Sequence, residues 1–259
     1  MVSEIEYVRR GSGEPLLLVH GLGGDRSTWS PVIDRLAADH DVIAVDLPGF
    51  GSSPPLSGEA TPTPRALAES LASLLEELGL SSAHAVGNSL GGWITLELAL
   101  LGRARTVTTL CAAGMWSRPL GPRPELPGRM IGRLVAPLLG LVMAPAFVRR
   151  RLLAAFVAHP ERVPRQDAAR MAAAYMAAQG YVATNREMRA DRFRGAAEVD
   201  VPVTLAWGER DRLIAPRDPG IPGARTILLE DCGHVPTWDD PERVTEIILQ
   251  TAESSLLRS

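Results

Sequence analysis

The stretch that decides the fold is Gly87-Asn88-Ser89-Leu90-Gly91, which lies between a short apolar run, residues 83–86, and a longer one, residues 91–101. The short run has the length of a buried strand and the longer run that of a helix. Small residues around Ser89 permit a sharp turn from the strand into the helix, which exposes the serine hydroxyl above the edge of a sheet. The G-x-S-x-G pattern in this strand, turn and helix context predicts that Ser89 is a nucleophile.

The unit of a strand followed by a helix recurs along the chain. A helix at residues 65–78 is predicted by leucines at helical spacing after Thr63 and Pro64, and a last helix is expected at 240–254. The apolar runs that predict buried strands are residues 15–20, 41–46, 83–86, 106–110, 201–207 and 226–229. The alternation predicts an α/β fold with a doubly wound, mostly parallel sheet.

The alternation stops between Met115 and Glu198. This stretch is rich in proline at first and then in alanine, methionine and arginine, with helical periodicity as in residues 168–178. We therefore expect an α/β core made of residues 1–114 and 199–259, with residues 115–198 inserted as a helical lid.

Composition excludes several classes of chemistry. All 27 basic side chains are arginine, so mechanisms that need a lysine Schiff base, a pyridoxal anchor or a phosphate-loop lysine are ruled out. Cys111 and Cys232 lie far apart and form no metal or redox pair, so no metal and no cofactor is expected. The sequence shows no apolar run of the roughly 20 residues that a membrane span needs, and it begins without a leader pattern, so a soluble cytoplasmic protein is expected.

Charge is distributed unevenly. Residues 116–194 carry 14 arginines and 5 acidic residues, a charge of +9, which leaves −12 on the rest of a chain whose net charge is −3. One reading is a basic insertion packed on an acidic body, and the other is recruitment of anionic substrates or an acidic carrier protein. Nucleic-acid binding is disfavoured because no stacking aromatics are interleaved with the arginines.

A serine hydroxyl needs a base, and the chain has five histidines. His40 lies at a strand entrance, His84 in the strand before Ser89 and His159 before a proline in the insertion, so each is read as structural or solvated. His20 belongs to the turn after the first strand and is expected to brace it. His234 follows the last predicted strand, at the sheet edge expected for Ser89, and is the predicted general base.

The acid that orients the histidine should follow the preceding strand, where two carboxylates lie. Asp211 is the predicted acid, holding the imidazole tautomer of His234 and stabilising its charged form. Glu209 is the competing acid, and a salt bridge to Arg210 or Arg212 is the structural alternative for Asp211.

A developing oxyanion needs two preorganised N–H donors. The backbone of Leu90, directly after the nucleophile, is the first candidate. The glycine-rich loop after the first predicted strand, residues 20–24, makes the Leu22 N–H the second candidate, and without a GxGxxG spacing or a lysine this loop fails as a phosphate loop.

These motifs together resemble those of the α/β-hydrolase fold superfamily, and the resemblance covers nearly the whole chain except the expected lid. They are His20-Gly21-Leu22-Gly23, residues 46–51, Gly87 to Gly91, Gly208 to Asp211, and residues 232–242. The resemblance implies a serine-nucleophile enzyme that works through an acyl-enzyme, with a helical cap over the pocket.

Within that superfamily, serine at position 89 argues against epoxide hydrolases and haloalkane dehalogenases, which use an aspartate nucleophile. The form Gly-Asn-Ser-Leu-Gly-Gly also resembles the elbow of carbon-carbon bond hydrolases that cleave ring-fission products of aromatic degradation, whose carboxylates an arginine-rich lid would suit. A third alternative is an esterase or thioesterase on acyl chains held by an acidic carrier protein, which would dock on the basic lid.

Five large apolar residues lie near the motif loops: Trp29, Trp93, Met115, Trp116 and Trp238. Most are expected to pack in the core. Met115 and Trp116 are the candidates for substrate binding, because they lie where the chain enters the insertion.

The sequence therefore predicts a hydrolase that cleaves a carboxylic ester of a small molecule. Carbon-carbon bond cleavage, thioester cleavage and acyl transfer to another acceptor or perhydrolysis stay open, as does a ligand receptor on the same scaffold, because a fold does not fix a function.

Overall fold

A computed structural model describes residues 4–58, 60–121 and 139–257. Seven strands form one sheet in the order β1-β3-β2-β4-β5-β6-β7. The strands are β1 Tyr7–Arg10, β2 Glu14–Val19, β3 His40–Val45, β4 Ala83–Asn88, β5 Ala104–Leu110, β6 Val203–Gly208 and β7 Arg225–Leu229. All neighbours are parallel except β1, which pairs antiparallel with β3. The predicted mostly parallel sheet is confirmed.

Strand β1 was not predicted. Its residues are mostly exposed, so it lacks the apolar run that identifies the inner strands. It is held by the edge pairing of Tyr7 opposite Val45 and by an ion pair in which Arg9 reaches Asp41 at 2.6 Å.

Helices pack on both faces of the sheet, and strand β2 shows how. Its Leu17 and Val19 belong to a core shared with helices α2 (Pro64–Glu77) and α3 (Leu90–Leu100). Leu16 and Leu18 belong to a core shared with helices α1 (Ile33–Leu36) and α8 (Pro241–Glu253). Alternate residues of a strand point to opposite faces, so both faces of β2 are buried. The helices are α1 Ile33–Leu36, α2 Pro64–Glu77, α3 Leu90–Leu100, α4 Leu139–Val142, α5 Ala146–Leu153, α6 Arg165–Ala177, α7 Tyr181–Ala190 and α8 Pro241–Glu253, and single 3-10 turns are Arg26–Trp29, Ala196–Glu198, Pro236–Trp238 and Ser254–Leu257.

Helix α2 begins as its sequence predicts. The Thr63 hydroxyl accepts a hydrogen bond from the Ala66 N–H at 3.1 Å, and Pro64 occupies the first turn, where a missing N–H costs nothing. Helix α8 has the same design, with the Asp240 carboxylate accepting from the Arg243 N–H at 2.9 Å.

Between β5 and β6 the chain leaves the sheet and forms helices α4 to α7. Apolar side chains of α5, of α6 and of the residues beside them build a small separate core, which Val235 of the main body joins. The helical character predicted for residues 168–178 is confirmed by α6, while residues 122–138 of the expected lid lie outside the described residues. The limits of the lid at 115 and 198 stay a prediction.

The direction of winding reverses beside β2. The chain passes from β2 to β3 on one side and then crosses to β4 on the other, so the loops that follow β2 and β4 separate at the carboxyl edge of the sheet. Ligands of open α/β sheets bind in this crevice. Among the described residues, no helix has the length and apolar character needed to cross a membrane.

Candidate active site

Ser89 lies in the turn between β4 and α3 with a strained backbone. Its φ of 54° and ψ of −116° fall outside the regions that L-residues favour, at a cost on the order of 1–3 kcal/mol. Two hydrogen bonds hold the turn: the Ser89 N–H donates to the Leu110 carbonyl, and the Ala113 N–H donates to the Ser89 carbonyl, both at 2.9 Å.

Glycine is required at two positions near Ser89, because the neighbouring backbone leaves no room for a Cβ atom. A Cβ on Gly87 would lie 2.2 Å from the backbone of Gly91, and one on Gly91 would lie 2.1 Å from the Val19 carbonyl oxygen. The start of α3 therefore packs backbone to backbone against β4 and β2, which is the close turn that the small residues predict.

Asp211 and His234 meet at the same edge of the sheet. Asp211 follows β6, His234 follows β7, and His234 Nδ1 lies 2.8 Å from Asp211 Oδ2 with both side chains almost fully buried. The other carboxylate oxygen accepts from the Leu213 and Ile214 N–H groups at 2.7 and 3.0 Å. Burial alone would raise the pKa of Asp211, but hydrogen bonds and the proximity of His234 lower it below its ordinary value.

The competing carboxylate lies elsewhere. Glu209 Oε2 accepts the Asp231 N–H at 3.0 Å, and Arg210 pairs with Asp231 rather than with Asp211. The structure thus brings Asp211, and not Glu209, to His234.

Asn88 connects the turn of Ser89 to the loop of His234. Its Nδ2 donates to the His234 carbonyl at 2.8 Å and to the Leu110 carbonyl at 3.1 Å. Ser89 therefore shares one region with Asp211 and His234, although more than a hundred residues of sequence separate it from either of them.

The loop after β2 lies against Ser89. A Cβ on Gly21 would be 3.0 Å from the Ser89 Cβ, so the chain that leads to Leu22 passes directly beside the nucleophile candidate. His20 braces this loop, because its Nε2 accepts from the Leu47 N–H at 3.0 Å, which leaves Nδ1–H to donate to the Gly21 carbonyl at 2.7 Å. Leu90 opens α3, and the first N–H groups of a helix have no intrahelical acceptor.

Helices α6 and α7 cover this loop. A Cβ on Gly23 would lie 2.8 Å from the ring of Tyr175 and 3.3 Å from that of Tyr181. Nearby, the Gly180 N–H donates to the Gly49 carbonyl at 2.8 Å, so the inserted segment is bonded to the loops of the sheet edge.

A cavity of about 390 Å³ opens between the chain after β5 and the chain after β6. Both residues predicted to bind substrate, Met115 and Trp116, line it, together with Arg192, Arg217 and Asp218. The Trp116 ring packs edge-on against Trp93, with centroids 5.9 Å apart. Ser89 is not among the residues that line this cavity.

Cys111 was missed by sequence reasoning. It follows β5 with a φ of 51°, and its buried sulfur accepts from the Gly208 N–H at 3.2 Å and faces the Gly233 carbonyl at 3.6 Å. The sulfur thus joins the loop of Asp211 to the loop of His234. Its place directly after a strand of the sheet was the available signal, because Asp211 and Ser89 also follow strands.

Cys111, Asp211 and His234 bring ligand atoms within 4.8 Å of one another, the arrangement that a metal ion would require. Burial and the neighbouring Asp211 carboxylate raise the pKa of the Cys111 thiol well above its ordinary value, and the thiolate is the form that binds metals. The carboxylate and Nδ1 already face each other at hydrogen-bond distance. The donor set therefore fits a hydrogen-bonded acid and base better than a metal centre.

The remaining histidines have structural contacts. His84 Nδ1 lies 3.0 Å from the Thr106 hydroxyl, and the His40 ring packs edge-on against it. His159 lies in the inserted segment, with Nε2 2.7 Å from Asp231 Oδ2.

Comparison with known proteins agrees with this fold. The model of the alpha/beta hydrolase family matches residues 16–247. The dihydrolipoyllysine-residue acetyltransferase component of an acetoin cleaving system from Cupriavidus necator is 31% identical over 239 residues, which are 89% of this chain but 62% of that protein. A pimeloyl-(acyl-carrier protein) methyl ester esterase from Aeromonas hydrophila is 31% identical over 260 residues, covering 94% of this chain and 97% of that protein.

Solved structures extend the agreement. A thermophilic esterase from Thermogutta terrifontis, determined with malate bound, aligns with a TM-score of 0.72 and 26% identity over 97% of this chain and 93% of that chain. The family match, the relatives and the shared sheet show that the chain belongs to the alpha/beta hydrolase family.

Proposed function

We propose that this hydrolase cleaves carboxylic esters of small molecules through an acyl-enzyme, with Ser89 as nucleophile, His234 as general base and Asp211 as its orienting acid. One observation carries the proposal: the buried side chains of His234 and Asp211 lie 2.8 Å apart, and a hydrogen bond from Asn88 connects the loop of His234 to the strained turn of Ser89. A buried acid and base next to the turn that carries a serine is the arrangement that activates a serine hydroxyl.

The chemistry follows from the hydrogen bonds. The ionised Asp211 accepts a hydrogen bond from the Nδ1–H of His234, so the lone pair of the imidazole lies on Nε2. Nε2 takes the proton of Ser89 as the serine oxygen attacks the ester carbonyl. The Leu22 and Leu90 N–H groups are assigned to the oxyanion that forms. The imidazolium then protonates the leaving alcohol, and a water activated by the same histidine releases the acid.

The proposal also covers the residues that bind the substrate and the lid that covers the site. Met115 and Trp116 line the cavity at the entrance of the inserted segment, and we assign them to binding the part of the substrate that is remote from Ser89, which does not line this cavity. Residues 115–198 form the lid, supported by the contacts of Tyr175 and Tyr181 with the loop beside Ser89.

Labelling with a fluorophosphonate probe tests the central assignment. The probe should modify Ser89, as located by peptide mapping, and Ser89→Ala should abolish labelling without loss of fold by circular dichroism. Labelling of a different residue in folded, active protein, or persistent labelling of Ser89→Ala, would sink the assignment.

The arginines of the cavity favour a second candidate, an ester or thioester whose acyl chain carries an anionic group or is held by an acidic carrier protein. Arg192 and Arg217 line the cavity beside Trp116, and guanidinium groups suit carboxylates and phosphates. The Aeromonas hydrophila relative is named for a carrier-bound methyl ester, and the Thermogutta terrifontis esterase was solved with a dicarboxylic acid.

Turnover assays separate the alternatives. Short and long p-nitrophenyl esters, the matching thioesters and a dienoic ring-fission product should be compared at equal enzyme concentration. Preference for the ring-fission product would replace ester cleavage by carbon-carbon bond cleavage. Tight binding of a ligand with negligible turnover of every substrate would instead indicate a receptor.

A further inference from the structure

The loop that carries His234 is bonded on both flanks to the inserted segment. The Val235 N–H donates to the Phe156 carbonyl at 2.7 Å, and the Gly233 N–H donates at 2.8 Å to Oδ2 of Asp239, a carboxylate that also binds the inserted segment. The base candidate is therefore held on both sides: the Val235 bond reaches the insertion directly, and the Gly233 bond reaches it through Asp239.

Asp239 is the centre of this arrangement. Asp239 is 9% exposed, and its carboxylate accepts hydrogen bonds from three backbone N–H groups. Oδ2 accepts from Gly233 at 2.8 Å and from Ala158 at 3.0 Å, and Oδ1 accepts from His159 at 2.9 Å. A buried carboxylate is costly unless it is hydrogen-bonded, and three N–H groups meet that need. One side chain thus joins the loop of His234 to residues 158 and 159.

The backbones themselves are in contact. A Cβ on Gly233 would lie 2.8 Å from the Ala158 nitrogen and 2.8 Å from the Val157 carbonyl carbon. No side chain fits between the two segments, so a displacement of residues 157–159 is transmitted to the residue next to His234.

We propose that Asp239 is a positioning residue, which sets His234 relative to Ser89 through Gly233 and makes that position depend on the docking of residues 156–159 of the insertion. The inference rests on the proposed function, because it assigns His234 as the base. Asp239 itself takes no part in proton transfer. A displacement of a catalytic group by about 1 Å can lower a rate by about 100-fold, so a lost hydrogen bond at Gly233 should be visible in turnover.

The test compares Asp239→Asn with Asp240→Asn. The first keeps the shape of the side chain but replaces one of its two accepting oxygens by an NH₂ group, so at least one of the three N–H groups loses its acceptor and the shared site is disrupted. The second removes the same charge one residue away, and asparagine caps a helix as well as aspartate does. Any effect of net charge on His234 is therefore shared by the two variants.

For Asp239→Asn we expect kcat on a p-nitrophenyl ester to fall about 10- to 100-fold with KM within about 2-fold of wild type. The amount of folded enzyme is measured by circular dichroism, and kcat is expressed per folded molecule. A substitution that only lowers the amount of folded enzyme would leave that kcat unchanged. Asp240→Asn should match wild type in both measurements.

The variant Gly233→Ala disturbs the same contact but leaves the Asp239 carboxylate unchanged. Its Cβ should push residues 157–159 away and reproduce the loss of kcat. If Asp239→Asn is folded and its kcat stays within about 2-fold of that of Asp240→Asn, the proposal is wrong.

Hydrogen exchange in the wild-type protein separates this inference from the proposed function. The amides of residues 158, 159 and 233 should exchange at one common slow rate, because opening of one carboxylate site releases all three. If the amides of residues 158 and 159 exchange fast, as in an exposed loop, and independently of the amide of residue 233, the inference is wrong whether or not the protein hydrolyses esters. A common rate in a protein that Ser89 probes do not label would remove the proposed function and keep Asp239 as the connection.

Discussion

Asp211 uses both carboxylate oxygens, one for His234 and one for two backbone N–H groups of its own loop. This fixed orientation is what separates it from Glu209, which has a carboxylate on the same loop but holds the Asp231 N–H. At the residue scale, the assignment of the acid therefore depends on geometry rather than on residue type.

Replacement of Asp211 by asparagine should lower kcat by about four orders of magnitude, because the amide favours the wrong tautomer of His234. Glu209→Gln, which removes a charge from the same loop, should retain kcat within about 3-fold of wild type, since its carboxylate does not contact the histidine. Steady-state kinetics on one activated ester check both variants. Equal losses in the two would remove Asp211 from its assigned role.

His84 provides a test of stability against pH. Burial, with a smaller effect of His40, lowers the pKa of His84 from 6.5 to about 4. Because the folded pKa is the lower one, the unfolded chain takes up the proton first, so stability is complete above pH 6.5 and declines as pH falls toward 4.

Urea unfolding between pH 7 and pH 4.5 checks this for wild type and His84→Asn. The free energy of unfolding of the variant should fall less steeply over this range than that of wild type. Parallel curves would mean that His84 does not titrate in the way its burial indicates.

At the scale of elements, the turn from β4 into α3 depends on the approach of the helix to β2. A Cβ on Gly91 would lie 2.1 Å from the Val19 carbonyl oxygen, a backbone atom that cannot rotate away. Strand β1 is less demanding, because it pairs at the edge of the sheet and most of its side chains are exposed.

Gly91→Ala should destabilise the protein by about 3 kcal/mol or more and abolish fluorophosphonate labelling of Ser89, because α3 must move away from β2. Gly102→Ala, at the other end of α3, places its Cβ in open space at a φ of 69° and should cost about 1–2 kcal/mol with labelling intact. Thermal unfolding and labelling rates measure the two effects. Normal labelling of Gly91→Ala would contradict the close approach.

At the scale of the whole molecule, the inserted segment and the main body carry opposite charge. Residues 116–194 sum to +9 and the remainder to −12. The described part of the insertion also supplies Arg192 to the cavity, beside Arg217 of the main body. Long-range attraction between solvent-exposed charges is screened beyond about 10 Å at 0.1 M salt.

If the insertion attracts the substrate, kcat/KM for an anionic ester should fall steeply as salt rises from 20 mM to about 500 mM, while a neutral ester of equal length changes little. Arg217→Ala should flatten the slope for the anionic ester. Arg212→Ala, which removes an exposed arginine outside the cavity lining, serves as the control. Identical salt dependence for the charged and neutral esters would contradict substrate attraction. The charge asymmetry would then be explained by attraction between the insertion and the main body.

The sequence by itself determined the α/β alternation, the tight turn around Ser89 between a strand and a helix, and the shared sheet edge of Ser89, Asp211 and His234. These features are local: apolar periodicity defines strands and helices, and residues that follow parallel strands meet at one edge. The same reasoning predicted a helical insertion and selected Met115 and Trp116, which do line a cavity.

Only the tertiary structure decided which carboxylate meets the histidine, that Cys111 joins their loops, and that Asp239 connects His234 to the insertion. Asp239 and its partner Ala158 are 81 residues apart, and the donors in the contact are backbone N–H groups, which every residue except proline possesses. Such contacts leave no pattern in residue types, because the packing of distant segments, and not the side chain at each position, brings their atoms together.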